Sequence, residues 1–237
     1  FKIHLLYKEE IRHCGKDAKN IVSLGAAGFV MQLTNSLVSI CCNNILAATG
    51  GDVYISVMTI ISSVRQMIET PIWSISEGSS PVISYNYGAK RPKKVIEAWI
   101  TMSVLALIYS LIAWSVILFA PKFLIGIFSS DKSLMIDTVP AMKLYFAAFI
   151  FMLFQYTGQT MFKSLNKKKQ AIFFSILRKV IIVVPLTYIF PYVFHMGSNG
   201  VFMAEPVSNV IGGSLCFIVM LLTVLPELKR MNPDLSS

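Results

Sequence analysis

Arg65, Gln66 and Glu69 lie inside an otherwise apolar run of the sequence, and their types and spacing are those of a buried ion pair. Residues 65 and 69 are one helical turn apart, so their side chains lie within pairing distance on one helix face. Ionisable groups inside membrane helices mark ion pathways, substrate pathways and proton relays. The motif is therefore a candidate for proton or ion exchange.

Polar residues recur at helical spacing in three other apolar runs, which predicts that four helices turn polar faces toward a shared interior. An alternative remains open, because Ser, Asn and Gln also join membrane helices through hydrogen bonds without forming a transport cavity. Arg178 and Lys179 are nearer a predicted helix end, and we expect them to extend toward the aqueous surface. The candidate cavity residues are Gln32, Asn35, Ser39, Arg65, Gln66, Glu69, Gln155, Gln159, Glu205 and Asn209.

The elements that position these residues must be membrane helices. The chain is 55% hydrophobic and only 14% charged, with a mean hydropathy of +0.65, which is too apolar for a water-soluble domain of this length. A helix needs about 20 apolar residues to cross the hydrocarbon core. The fold class is thus an all-α membrane protein, a bundle of six transmembrane helices within residues 20–225. The predicted spans are 20–48, 53–78, 95–119, 139–162, 170–194 and 200–225.

The distribution of lysine and arginine predicts the topology. Cations cluster before the first span, at 90–94, at 163–169 and at 229–230, which all fall on one side if the chain crosses six times. The positive-inside bias then places both ends in the cytoplasm. We expect residues 1–19 to be an amphipathic linker on the cytoplasmic surface, with an ordinary solvated linker as the alternative, and 226–237 to be a cytoplasmic tail. Phe1 is not a start methionine, so we expect a piece of a longer chain.

The second span has an apolar half that includes Val57, Ile61, Val64 and Ile68, and we expect this half to face lipid. Topology and anionic lipid headgroups account for the net charge of +9, so we expect the lipid bilayer and not a nucleic acid as partner.

The cysteines and histidines show no metal-ligand or disulfide spacing, and no catalytic or nucleotide-binding motif is present. We therefore expect no enzyme activity, no metal and no cofactor.

Four segments, 43–52, 80–95, 153–186 and 197–209, together resemble the carboxy-terminal half of MATE multidrug and toxin extrusion transporters, closest to the MepA-like bacterial branch. The first reads NNILAATGGD and the last GSNGVFMAEPVSN. The resemblance implies one six-helix lobe of a twelve-helix transporter in the bacterial inner membrane, lacking its amino-terminal lobe. It further implies export of organic cations in exchange for H+ or Na+ by rocking of the two lobes.

The chain departs from the sodium-binding NorM-like branch, because Asn35 and Gln155 stand where that branch carries acidic residues. Our hypothesis for this chain is that Glu69, paired with Arg65, tunes the cavity or carries the proton, and that Glu205 helps to attract a cationic substrate.

Two other classes remain open at this point. A flippase of lipid-linked sugars, from the same superfamily, would need a cationic cavity for a pyrophosphate, which Arg65, Arg178 and Lys179 could supply. A six-helix membrane subunit without transport activity is the second.

Overall fold

The protein is helical throughout the part described by a computed structural model, which covers the backbone of residues 8–231 and the side chains of residues 22, 29 and 32–231. The first helical stretch, Lys8–Gly88, is broken at Gly51, whose φ of 69° and ψ of −165° are accessible mainly to glycine. We treat its two parts as α1 (8–50) and α2 (52–88). The remaining helices are α3 (Pro92–Phe119), α4 (Pro121–Phe128), α5 (Lys132–Tyr145), α6 (Phe149–Ser164), α7 (Lys168–Val193) and α8 (Ser198–Met231).

Several of these helices are long and apolar enough to cross a membrane. Four stretches qualify, Gln32–Gly88, Pro92–Phe119, Lys168–Val193 and Ser198–Met231, and α5 with α6 gives a fifth if that bent pair is one span. The first stretch is 57 residues long, about 85 Å at 1.5 Å per residue, far more than one bilayer crossing. The break at Gly51 lies in the predicted loop 49–52, but the division into six spans with the predicted bounds stays a prediction.

Several helices differ from their predicted extents, among them α8, which continues past residue 225 to Met231, and in two places the reason is identifiable. Helix α2 continues past residue 78 to Gly88, because Ser80 and Ser84 anchor this end to Ser164 at the end of α6, at 2.8 and 3.0 Å. The span predicted at 139–162 is two helices, α5 and α6, at an angle of 50° to each other. At this bend the carbonyl oxygen of Phe146 accepts from the backbone nitrogen of Phe149 at 3.1 Å and from the indole nitrogen of Trp114 at 3.0 Å, so a side chain of α3 holds the bend.

The apolar half of α2 does not face lipid, so that prediction was wrong. Val57, Ile61 and Val64 are completely buried and Ile68 nearly so. They pack in a core that includes Phe146 from the bend and residues of α3, α5, α6 and α8. The apolar side of α2 packs against other helices, and its polar side lines an open cavity. The apolar side of this helix is therefore protein core and not lipid-facing surface.

Large apolar side chains are instead exposed on the outer helices. Ile108 and Ile112 of α3, Ile181 of α7 and Leu222 of α8 are each more than half exposed. Contiguous apolar surface of this kind is expected where helices meet lipid chains. The chain is thus a multi-pass membrane protein.

One end of the bundle is fastened by polar contacts between helix ends. The ammonium of Lys163 lies 2.7 Å from a carboxylate oxygen of Glu77. Glu227 accepts from the hydroxyl of Tyr87 at 2.5 Å and pairs with Lys167 at 2.6 Å. The end of α2, the turn between α6 and α7 and the end of α8 therefore meet at the same end of the molecule.

Some predictions extend beyond the described residues. Residues 1–7 of the predicted linker and 232–237 of the predicted tail lie outside them. Residues 8–19 are helical in the backbone, and the amphipathic character of this segment stays a prediction.

Candidate functional site

The polar face of α2 opens onto two cavities of about 530 and 330 Å³. Both volumes are of the size that holds a small organic molecule. Residues that line both cavities come from α1, α2, α6 and α7. They are Gln32, Asn35, Arg65, Glu69, Trp73, Tyr156 and Lys179.

Arg65 is the hub of the cavity wall. Its Nε donates to a carboxylate oxygen of Glu69, its Nη1 donates to the hydroxyl oxygen of Tyr145 at 2.8 Å, and its Nη2 lies 3.4 Å from Glu205. The hydroxyl of Tyr156 donates to the second oxygen of Glu69 at 3.2 Å. A guanidinium has donors on three nitrogens in one plane, so a single arginine can hold three partners from different helices.

Glu205 lies deeper, among three cations. Its carboxylate accepts from Lys179 at 3.0 Å and lies 3.6 Å from Arg178, in addition to its contact with Arg65. Arg178 also donates to the amide oxygen of Asn209. Only about 6–7% of the Glu205, Arg178 and Lys179 side chains is exposed, so these charges are held by one another and not by water.

The expectation that Arg178 and Lys179 extend toward the aqueous surface was wrong. Both side chains turn inward, because Glu205 on α8 offers a buried partner that is invisible along the sequence of α7.

Local helix geometry places the two cations side by side. Residues Leu177–Val183 form a π-helical segment within α7, two residues before Pro185, and such widened turns are frequent at functional sites. A Cβ at Gly212 of α8 would lie 2.8 Å from Cγ of Arg178. The missing side chain at position 212 is therefore what lets the stem of Arg178 cross α8 toward Asn209.

The bend between α5 and α6 has a similar role for Tyr145. This residue ends α5 and packs edge to face on Phe146, with ring centroids 5.2 Å apart. Its hydroxyl thereby reaches Arg65. The break in the helix thus supplies a partner for the central cation.

The structure brings together nearly all the predicted cavity residues. Asn209 lines neither cavity and is buried behind the wall as the partner of Arg178. The other predicted residues line one cavity or both. Those lining residues are Gln32, Asn35, Ser39, Arg65, Gln66, Glu69, Gln155, Gln159 and Glu205.

Sequence reasoning missed Tyr145, Tyr156 and Trp73 as members of the cavity wall. Tyrosines are common in membrane helices, so residue type alone does not mark Tyr145 and Tyr156. They are distinguished only by their hydroxyl groups, which contact Arg65 and Glu69 respectively. Trp73 lies two turns from Arg65 on the same helix, a spacing that could have identified it.

Asn35 and Gln155, at the positions that are acidic in the NorM-like branch, both line the smaller cavity. The amide nitrogen of Gln155 donates to the carbonyl of Phe174 at 3.4 Å, whereas its amide oxygen is buried without a hydrogen-bond partner among the described residues. Within those same residues, no group of three or more His, Cys, Asp or Glu could hold a metal ion.

Comparison with known proteins gives a family and a fold. The MatE family profile matches residues 27–189, and no curated protein matches. Among solved structures, the chain is similar to a MATE protein in the straight conformation, with 20% identity over 90% of this chain and 47% of that chain and a TM-score of 0.82.

Structures of a multidrug resistance MATE family transporter of the MOP superfamily also match, again with 20% identity. The inward-facing conformation has a TM-score of 0.80 over 91% of this chain and 49% of that chain. The outward-facing conformation has a TM-score of 0.79 over 90% and 47%. The chain therefore spans about half the length of the transporters it matches.

Proposed function

Because the chain belongs to the MatE family of membrane transporters, we propose that it is one six-helix lobe of a secondary active antiporter that exports an organic solute in exchange for H+ or Na+. The observation that supports exchange is the ion-paired carboxylate of Glu69, which lines both cavities on the open side of the lobe. A second, amino-terminal lobe would close the cavity from the other side.

Glu69 is the candidate coupling group. Its side chain is 15% exposed, more than twice the exposure of Glu205, and its two oxygens are held by Arg65 and Tyr156. Protonation of Glu69 would remove the negative charge that holds Arg65, freeing this guanidinium for other partners. A proton on one side of the membrane and a substrate on the other could thus compete for the same network.

The substrate class implied by the family resemblance is organic cations, and in this lobe it is supported by Glu69 alone. Glu205 is already surrounded by Arg65, Arg178 and Lys179, so its charge is not free to attract a cation. The coupling ion is proposed as H+ or Na+. For Na+, Asn35 and Gln155 would offer only uncharged amide oxygens as ligands.

The experiment is ethidium transport by the full-length protein in liposomes, with a pH gradient and a sodium gradient imposed separately. Wild type is compared with Glu69→Gln and with the control Glu97→Gln, which removes an exposed carboxylate of α3. If organic cations are the substrate, the pH gradient drives ethidium in wild type and in Glu97→Gln, and Glu69→Gln loses that dependence.

Two results would count against the proposal. If neither gradient moves ethidium in wild type, export of organic cations is refuted. If Glu69→Gln transports like wild type with the same pH dependence, Glu69 is not the coupling group.

A flippase of lipid-linked sugars is the second candidate, because three cations converge in the cavity wall. Accumulation of lipid-linked sugar in cells that lack the gene, and its reversal by the intact gene, would favour this candidate. An unchanged lipid-linked sugar pool would exclude it.

For location we propose a bacterial inner membrane with both ends of the chain in the cytoplasm. The support is that the cation-rich turns at 90–94 and 163–169 meet at one end of the bundle through contacts of Tyr87, Lys163 and Lys167. Single cysteines in place of Lys90 and Lys122, in a background without native cysteines, test this. A membrane-impermeant maleimide applied to intact spheroplasts should label position 122 only.

A further inference from the structure

The charges in the cavity wall do not balance. Arg65, Arg178 and Lys179 supply three cations, whereas Glu69 and Glu205 supply two carboxylates, which leaves one positive charge in excess within this cluster. All five side chains line one or both cavities. The excess is thus directed at the space where a substrate would lie.

Neighbouring groups do not remove this excess within the described residues. Lys163 also lines the smaller cavity, but it is paired with Glu77 at 2.7 Å, so this cation and this carboxylate offset each other. The other polar groups of the two cavities, such as Gln66 and Asn35, are uncharged. A buried charge without a counter-ion is costly in a medium of low dielectric constant.

Hydrogen-bond donors are in excess as well. One oxygen of Glu205 is shared by Lys179 at 3.0 Å, Arg65 at 3.4 Å and Arg178 at 3.6 Å, and distances beyond about 3.2 Å are long for N–H···O bonds. Two guanidinium groups and one ammonium carry more donor hydrogens than two carboxylates can accept at good geometry. A further acidic group would accept from the donors that Glu205 holds only at long distance.

We infer that this cation cluster binds an acidic group of the transported molecule, a carboxylate or a phosphate, so that the substrate is an organic anion or zwitterion. The inference rests on the proposed export function, and it replaces the organic cations of the family resemblance by substrates that carry an acidic group. The larger cavity, at about 530 Å³, has room for an organic body beside the acidic group. Trp73, half exposed to the cavity, and the ring of Tyr156 offer aromatic surface to that body.

The first experiment measures equilibrium binding to the full-length protein in lipid nanodiscs, without any ion gradient. Four probes share one naphthalene body and differ in charge: naphthalene-1-acetate, its neutral amide, 1-naphthyl phosphate and the cation 1-naphthylethylamine. We expect the carboxylate or the phosphate to bind at least about tenfold more tightly than the amide, the scale of one charge-assisted hydrogen bond. The amine should bind more weakly than the amide.

The two anionic probes distinguish the sources of the acidic group. Tighter binding of the phosphate supports a phosphorylated or lipid-linked compound, and tighter binding of the carboxylate supports an organic acid. Equal affinity of the amide and both anions, or tightest binding of the amine, would overturn the inference.

A charge cycle at Lys179 and Glu205 tests whether the net charge itself is recognised. Lys179→Gln brings the cluster to zero excess charge and should weaken anion binding at least about tenfold. Glu205→Gln raises the excess positive charge, and the double variant Lys179→Gln/Glu205→Gln restores the wild-type charge. Neither variant should weaken anion binding as much as Lys179→Gln alone. Lys169→Gln, which removes an exposed cation of the same helix, is the control and should have no effect.

A purely structural role for the ion pairs predicts the opposite order, with Glu205→Gln impaired and no recovery in the double variant. That result would overturn the inference. Where a single variant fails to fold, the four naphthalene probes measured on the wild-type protein still test whether an acidic group is bound. Because binding is measured without gradients, anion binding with no coupled export refutes the proposed function alone. Gradient-driven export with no preference for anions refutes the inference alone.

Discussion

Replacement of Gly213 by alanine tests how closely α8 must approach α6 to assemble the cavity wall. An added Cβ would lie 2.5 Å from the carbonyl oxygen of Phe151 and 3.8 Å from the backbone nitrogen of Gln155. Carbon–oxygen contacts in proteins are normally about 3.3 Å or longer, so the two helices would have to separate by roughly 0.8 Å. Since the obstructing atom is backbone, no change of rotamer can relieve the clash.

The magnitude follows from two opposing effects. Overpacking of this kind costs about 1–3 kcal/mol, whereas alanine gains up to about 1 kcal/mol over glycine in helix propensity. With the full gain in propensity, we expect a net loss of up to about 2 kcal/mol in the free energy of unfolding. Gly78→Ala is the matched control, because a Cβ there meets nothing within 4 Å and the side is exposed, so only the gain in propensity remains.

The assay is thermal unfolding of the full-length protein in detergent, at one heating rate for all variants because unfolding of membrane proteins is seldom reversible. We expect Gly213→Ala to lower the apparent Tm by up to a few degrees and Gly78→Ala to leave it unchanged or raise it, since ~1 kcal/mol shifts Tm by about 2–4 °C in chains of 150–250 residues and by less in longer chains. Equal Tm values for the two variants would refute the argument from close packing.

The remaining predictions concern individual contacts. Gly158→Ala should destabilise less than Gly213→Ala, because its Cβ would meet the Sγ of Cys216 at 3.0 Å and no backbone atom closer than 3.4 Å; a larger drop in apparent Tm would contradict this. Arg65→Lys keeps the charge but loses the planar set of donors, so transport in the liposome assay should fall at least about tenfold. A wild-type rate would show that transport does not need the three contacts of Arg65. Tyr87→Phe removes a partly buried hydrogen bond to the carboxylate of Glu227 and should cost about 0.5–1.5 kcal/mol, seen as a lower apparent Tm; an apparent Tm equal to that of wild type would contradict this.

The sequence was sufficient to identify the candidate cavity because helical periodicity is a local property. Gln32 and Asn35, or Arg65 and Glu69, share a helix face through their spacing alone. The placement of a charged pair inside an apolar run likewise marked the helix that could not be surrounded by lipid. Asn209 was predicted to line the cavity but lies behind the wall as the partner of Arg178, and periodicity cannot distinguish these two positions.

Where the apolar half of α2 would pack was beyond the sequence. Amphipathicity says that two faces differ, but lipid and a protein core are equally apolar solvents for Val57 and Ile61. Only the arrangement of the surrounding helices decided that this half is core.

Composition and spacing by themselves determined that this chain is a helical membrane protein with polar faces and an Arg65–Glu69 pair, because apolar length and 3.6-residue periodicity depend on neighbours along the chain. Tertiary structure decided the charge of the site. Arg178 and Lys179 come from α7 and Glu205 from α8, and the three meet through the π-helical turn of α7 and the glycine surface of α8. Electrostatic balance depends on distances across helices, and no pattern within one helix contains those distances.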